Sequence, residues 1–216
     1  MVCDDILFKK NQMKIAILLS GGVDSSVALN LLLDENKHDI VAYYLKIWLE
    51  DELAFLGECP WEEDLKYARA VCEQANVKLV VISLQDEYQN RIVSYVLDEL
   101  KKGRTPSPDI YCNEQIKFGV FFDHLHDKFD KIATGHYAKI KQNDDNSFSL
   151  LRAPDSIKDQ TYFLSNLNQE QLAKILFPLG EYKKNRVREL AQEYNLPNKS
   201  RKDSQGICFL GKIPYN

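Results

Sequence analysis

Seven consecutive residues, Ser20-Gly21-Gly22-Val23-Asp24-Ser25-Ser26, bring together the groups that hold a phosphate. They follow the apolar run Ile15-Ala16-Ile17-Leu18-Leu19 and precede Val27-Ala28-Leu29-Asn30-Leu31-Leu32-Leu33, which continues as a helix. A buried strand, a glycine turn and a helix start together make an anion site. The glycines let the backbone approach a ligand closely. Several N–H groups then point outward at the positive end of a helix dipole. Ser25 and Ser26 add hydroxyl donors, and Asp24 is placed to hold Mg2+ or a water of its shell. No lysine lies in the loop, so it is not the Walker type, which needs Gly-x-x-x-x-Gly-Lys-Ser/Thr. An ordinary strand-to-helix turn is the competing reading. Two glycines, a carboxylate and paired serines at one strand end weigh against it.

The elements that must position this loop follow a strand–helix alternation. Strands are expected at 14–19, 40–46, 78–84 and 131–134. A helix is expected at 60–75, with Pro60 at its start, acidic residues in its first turns, and Leu65, Ala68, Cys72 and Ala75 on one face. A second spans 86–102, with Tyr88, Ile92, Tyr95, Val96 and Leu100 inward and Gly103 ending it. A third spans 112–126. Such alternation implies an α/β fold, a parallel doubly wound sheet with ligands at the carboxyl ends of the strands. Beyond Tyr137 the pattern changes to a hairpin (138–141 and 147–152), helices at 169–176 and 183–194, a polar loop at 197–203 and a short strand at 204–211. This second part reads as a small, mainly helical C-terminal extension.

Composition narrows the function classes. The chain has 216 residues, 44% of them apolar, and a net charge of −4, so it is not a basic nucleic-acid coat. A nucleic-acid partner would need local patches, for which 101–104, 183–188 and 199–202 are candidates. Solvated faces explain most such runs. No stretch is apolar for the length of a bilayer, and residues 1–14 lack the apolar centre of a signal peptide. The expectation is a cytoplasmic protein with no membrane partner, and a processed organelle protein would look the same. The five cysteines, Cys3, Cys59, Cys72, Cys112 and Cys208, contain no Cys-x-x-Cys pair, which argues against a zinc ribbon.

The loop Ser20-Gly21-Gly22-Val23-Asp24-Ser25 resembles the pyrophosphate-loop motif of ATP-dependent adenylating enzymes. Three further groups of segments are similar to those of one family, the tRNA-specific 2-thiouridylases. The first is the cysteine segment 103–113, Gly-Arg-Thr-Pro-Ser-Pro-Asp-Ile-Tyr-Cys-Asn. The second is the strand end Ala133-Thr134-Gly135-His136-Tyr137-Ala138. The third group comprises 158–164, Lys-Asp-Gln-Thr-Tyr-Phe-Leu, and 203–209, Asp-Ser-Gln-Gly-Ile-Cys-Phe. The motifs occur in the family's order over about residues 14–211. Residues 59–65 resemble the cyanobacterial and plastid branch. Ser107 stands where the family usually has asparagine.

The resemblance implies an adenine nucleotide alpha hydrolase-like fold. It implies ATP-dependent exchange of the 2-oxygen of a wobble uridine in tRNA for sulfur. By it, Leu18, Ser20, Gly21, Gly22, Val23, Asp24, Ser25, Leu45 and Gly135 bind ATP with Mg2+. Ser107, Pro108, Asp109, His136, Lys158, Asp159 and Gln160 contact the tRNA. Cys208 carries a persulfide received from a cysteine desulfurase or sulfur-relay protein. Cys112 is its partner, the pair ending as a disulfide, and Asp109 acts as a base or orients the ring. Cys112 is expected at a helix start, where the dipole lowers a thiol pKa. An iron–sulfur cluster held by the two cysteines and a carboxylate is a second route to sulfur transfer. Family members carry a central domain and a C-terminal β-barrel. This sequence ends just past the second cysteine segment, so 1–165 reads as the ATP-binding catalytic domain and 166–216 as the start of a tRNA-binding central region.

Blander readings stand beside these. Without the motifs, Cys112 and Cys208 pass for small core residues, His136 for a capping or core histidine, and Lys158 for a surface lysine. Two other functional readings remain open. One is a different adenylating activity, such as amide synthesis, which needs no cysteine pair. The other is an inactive tRNA- or nucleotide-binding fragment.

Overall fold

The computed structural model describes residues 12–47, 61–125 and 128–203. The expectations placed on Cys3, Cys59, Pro60, His126, Cys208 and the strand at 204–211 lie outside the described residues. Five parallel strands form one sheet in the order β3-β2-β1-β4-β7. They are β1 (Lys14–Leu18), β2 (Asp39–Lys46), β3 (Leu79–Ser83), β4 (Lys131–Ala133) and β7 (Ile175–Leu176). The chain leaves β1 on one side for β2 and β3, then returns to the other side for β4. The strand order therefore reverses between β1 and β4, and a crevice must open beyond their carboxyl ends. Both loops singled out in the sequence, the one after β1 and the one after β4, meet there.

Alternation along the strands sends side chains to two separate cores. Ile15, Ile17, Ala42, Tyr44 and Ala133 face the first, which is covered by helices α1 (Val23–Asp34), α2 (Trp61–Ala75) and α6 (Lys184–Glu193). Ala16, Leu18 and Ile132 face the second, covered by α3 (85–101) and α4 (108–125). Helices on both faces make the sheet doubly wound, as the strand–helix alternation implies. A hairpin of β5 (Ala138–Gln142) and β6 (Phe148–Arg152) and a short helix α5 (Gln169–Lys174) complete the described elements.

Three sequence expectations are corrected. The helix expected over 169–176 stops at Lys174, because Ile175 and Leu176 pair with Ile132 and Ala133 as a fifth strand. Leu100, expected inward, is exposed, because α3 contains π-type turns at Gln89–Val93 that rotate its last turn relative to Tyr88 and Ile92. The helix expected from Cys112 instead begins at Pro108, whose fixed φ and missing N–H suit a first helical position. Cys112 therefore stands one turn inside it.

Widened π-type turns also run through Cys112–Val120, and carbonyls of this segment accept from outside the helix. Gln171 of α5 supplies donors for two of them, Glu114 O at 3.2 Å and Phe118 O at 2.8 Å. Residues beyond 165 thus contribute to the sheet, to α4 and to the first core, where Val187, Leu190, Ala191 and Leu196 are buried. Leu190→Ala should lower unfolding stability by about 2–4 kcal/mol in urea denaturation. A change under about 0.5 kcal/mol would show that α6 is peripheral to the core.

Candidate functional site

The loop between β1 and α1 is held in place by its neighbours. Gly21 has φ +74°, and a Cβ there would lie 2.2 Å from the backbone oxygen of Asp64 at the start of α2. Both the dihedral and the space demand glycine. Its carbonyl is pinned by two donors from the chain after α6. Asn198 Nδ2 donates to Gly21 O at 2.8 Å, and Arg201 donates to the same oxygen at 3.2 Å. In a trans peptide the carbonyl and the following N–H point opposite ways. Pinning Gly21 O inward therefore turns the Gly22 amide outward, where its contact is Ser20 Oγ at 3.4 Å.

Gly22 caps α1 in an extended conformation without a side-chain hydrogen bond. The first-turn amides at Val23, Asp24 and Ser25 therefore have no intrahelical acceptor, the usual condition of a helix start. The paired serines serve the loop itself. Ser25 Oγ and Ser26 Oγ donate to Gly22 O at 3.1 and 2.9 Å, and Ser25 Oγ accepts from Ser20 N at 3.2 Å. Asn198 is 1% exposed and also donates to Ser26 Oγ at 2.9 Å, while its own Oδ1 is buried without a partner. Across the crevice Gly135, just after β4, leans on the start of α1. A Cβ at Gly135 would stand 2.7 Å from Ser25 N. The two loops thus form one wall, and its open backbone amides are the kind of donors that hold a phosphate. Leu18 and Leu45 lie beneath it on the second core.

Asp24 is the focus of an ionic cluster. It accepts from Tyr137 OH at 2.9 Å and from Lys184 Nζ at 2.6 and 2.9 Å. Lys184 also reaches Asp203 at 2.7 Å, and Asp203 is further paired with Lys158 at 2.6 Å and with Arg188. Burial raises the Tyr137 hydroxyl pKa, and the Asp24 carboxylate raises it further. Burial likewise works to raise the Asp203 pKa, but the Lys158 and Lys184 ammonium groups outweigh it and hold the carboxyl at about 2. No group of three or more His, Cys, Asp or Glu residues is gathered among the described residues. Asp24 offers a single carboxylate for Mg2+, which suits an ion shared with phosphate oxygens rather than caged by protein.

The other expected residues fall into two sets. Cys112 is 2% exposed in the second core. Burial raises its thiol pKa; the Lys117 charge works against that and Asp109 adds to it. The expected dipole-lowered thiol is therefore corrected. One turn of helix precedes it, and desolvation outweighs the dipole. Next to it, Asn113 donates to Phe163 O at 2.9 Å and accepts from Lys117 at 3.0 Å. His136 pairs with Thr134 Oγ1 at 2.8 Å and packs edge-on to Phe177. Burial, then the Lys117 charge, holds its pKa well below the ordinary range, so it is a neutral ring at pH 7.

Ser107, Pro108 and Asp109 form the cap and first turn of α4, with Ser107 N donating to Tyr95 OH at 3.4 Å. Asp159 accepts from Arg152, Ala153 N and Thr161. Gln160 accepts from Tyr137 N at 3.0 Å. These two side chains brace the segment that presents Tyr137. Of the basic run 183–188, Lys184 and Arg188 turn inward to carboxylates and Arg186 pairs with Glu189 and Glu193.

Sequence reasoning missed Tyr137, Asn198 and Lys117 as site residues, and offered Lys184 and Arg201 only within basic runs for a nucleic-acid partner. Tyr137 and Asp203 lay inside motif segments already singled out. Lys184 was hidden in a run that resembled an ordinary solvated face. Two outcomes follow from this geometry. Gly135→Ala should weaken nucleotide binding by at least about 10-fold in calorimetry, because the added methyl presses on the Ser25 amide. The Asp203 carboxyl titrates near 2, below its ordinary 3.8, so its contribution to stability is complete above about pH 4 and is lost as pH falls towards 2. Asp203→Asn should remove that part of the acid-unfolding profile, read by circular dichroism.

Residues 13–212 match the family model described as tRNA methyl transferase HUP domain. The tRNA-specific 2-thiouridylase MnmA of Akkermansia muciniphila is 48% identical over 201 residues, covering 93% of this chain and 56% of that protein. The protein of the same name from Staphylococcus epidermidis is 44% identical, covering 92% of this chain and 53% of its own length. The chain spans about half the length of the curated relatives it matches. Among solved structures, the U34-tRNA thiolase NcsA from Methanococcus maripaludis with its [4Fe-4S] cluster aligns with a TM-score of 0.54 at 19% identity, over 90% of this chain and 60% of that one. That likeness bears on the fold alone and agrees with the doubly wound parallel sheet. With 200 residues under one family model and relatives near 45% identity, this chain belongs to the tRNA methyl transferase HUP domain family.

Proposed function

We propose that this chain is the ATP-binding, catalytic part of a tRNA uridine 2-sulfurtransferase. The observation that carries the reading is the wall made by the Gly21–Gly22 turn, the open first turn of α1 and Gly135, at the point where the strand order reverses. The names of the similar thiouridylases supply the substrate class. ATP binds with its phosphates on the amides of Gly22 to Ser25; Asp24 would hold Mg2+, which would supply neutralising charge there. Leu18, Leu45 and Gly135 line the nucleoside end.

The exocyclic 2-oxygen of a uridine is a poor leaving group, and adenylation makes it a good one. The wobble base leaves the anticodon stack to reach the crevice. Ser107, Pro108, Asp109, His136, Lys158, Asp159 and Gln160 border its path and contact tRNA. His136, neutral, serves as a hydrogen-bonding partner rather than as a cation. A persulfide on Cys208 is loaded by a cysteine desulfurase or relay protein. The Cys112 thiolate attacks the inner sulfur, forming the Cys112–Cys208 disulfide and releasing hydrosulfide. Hydrosulfide adds to C2 of the base and AMP departs with the old oxygen. A reductant then reopens the disulfide. Asp109, three residues before Cys112, takes the thiol proton or orients the ring.

A cluster route like that named for the archaeal thiolase would need a third ligand beside Cys112 and Cys208. Asp109, three residues before Cys112 and near enough for its charge to act on that thiol, is the carboxylate such a route would use. The enzyme works in the cytoplasm on this reading. No helix among the described residues is long and apolar enough to cross a membrane.

The test incubates the purified protein with unmodified tRNA, ATP, Mg2+ and a cysteine desulfurase with cysteine, and reads 2-thiouridine by mass spectrometry. Wild type should thiolate the wobble position, and Cys112→Ser should lose at least about 100-fold, as expected when a reacting nucleophile is removed. ATP turnover that survives Cys112→Ser together with Cys208→Ser would favour a different adenylating enzyme. ATP binding without any thiolated tRNA would favour a binding fragment.

A further inference from the structure

We propose that Lys184 supplies the phosphate-binding cation that the glycine loop itself lacks, and that Asp24 and Asp203 hold it in reserve until a nucleotide arrives. This rests on the reading of the crevice as an ATP site. The loop from Ser20 to Ser26 contains no lysine. Lys184 comes from the start of α6, 160 residues away in sequence, and places its ammonium within 2.6 and 2.9 Å of the two Asp24 oxygens. Asp24 is the second residue of α1, so the ammonium sits at the same helix start that presents the open amides.

The lysine is built into that position. Its backbone N–H donates to Asp155 Oδ2 at 2.8 Å, which anchors the first turn of α6. Its side chain is only 12% exposed, and the ammonium also lies 5.9 Å from the Tyr137 ring centroid. A long side chain on a solvated helix face would not be desolvated in this way.

The charges around it are paired. Lys158, Lys184 and Arg188 meet Asp203, Lys184 also meets Asp24, and the Lys183 charge acts on Asp155. A lone phosphate would have to compete with a carboxylate for Lys184. If Asp24 held a divalent cation instead, its share of that competition would end. Lys184 then exchanges the Asp24 oxygens for phosphate oxygens, one ion pair replacing another without exposing a buried charge. Asp203 stays as its second partner, so one carboxylate still shares the ammonium with the phosphate. The task is that of the Walker lysine, performed from a distant helix.

The experiment titrates wild type, Lys184→Gln and Asp203→Asn with ATP, pyrophosphate and AMP in Mg2+ by isothermal calorimetry, with thermal unfolding of each unliganded protein as the folding control. Lys184→Gln should bind ATP and pyrophosphate about 30-fold more weakly, the loss of one charge-assisted hydrogen bond, and AMP within about 3-fold of wild type. Asp203→Asn leaves the lysine in place and removes a competing carboxylate, so it should bind pyrophosphate about 3-fold more tightly. A purely structural ion pair would instead weaken every ligand alike in both variants. ATP affinity of Lys184→Gln within about 3-fold of wild type, or an equal loss for AMP, overturns the proposal. If Lys184→Gln does not fold, weakened pyrophosphate binding by Asp203→Asn overturns it. Wild type that binds no ATP overturns both this assignment and the nucleotide-site reading. Wild type that binds ATP but makes no thiouridine overturns the sulfur-transfer reading alone.

Discussion

One backbone oxygen, that of Gly21, ties the nucleotide wall to the rest of the chain. It accepts from Asn198 and Arg201, both more than 170 residues away, and so fixes which way the next amide points. Arg201 simultaneously pairs with Asp64, whose own backbone presses on Gly21 from the other side. A glycine loop left to itself samples many conformations, and this one is clamped between α2 and the segment after α6. Its amides are aimed before any ligand arrives, which lowers the entropic cost of binding.

The same region shows why α6 cannot be regarded as an accessory. It buries Val187, Leu190 and Ala191 against the first core, sends Lys184 into the crevice, and leads into Asn198 and Arg201. Burial and function share one element. A change that loosened α6 would therefore misaim the loop and remove the lysine together.

Local signals were legible in the sequence and long-range ones were not. The run 15–19, the paired glycines and the apolar residues after Ser26 follow rules that act within a few residues, and they gave β1, the turn and α1. Pro108 carried the true start of α4, but the reading followed the residues after Cys112 and so placed the thiol at the first position of the helix rather than one turn inside it. Ile175 and Leu176 continue a helical pattern locally. Only the exposed edge of β4 turns them into a strand. Lys184 is chemically identical to its neighbour Lys183, and nothing near it in the chain distinguishes the buried one from the solvated one. That distinction is made by Asp24 and Asp203, brought to it by folding.

Cys112 carries one consequence of its own. Thiols are oxidised by peroxide through the thiolate, and from solvent. This sulfur is shut away beside Ile116 and Phe118, and its proton is held tightly by desolvation. In the resting molecule it is therefore shielded from oxidants and electrophiles in solvent. Its reactivity becomes conditional on whatever rearrangement opens the second core, which makes chemical inertness at rest and competence when engaged two properties of the same burial.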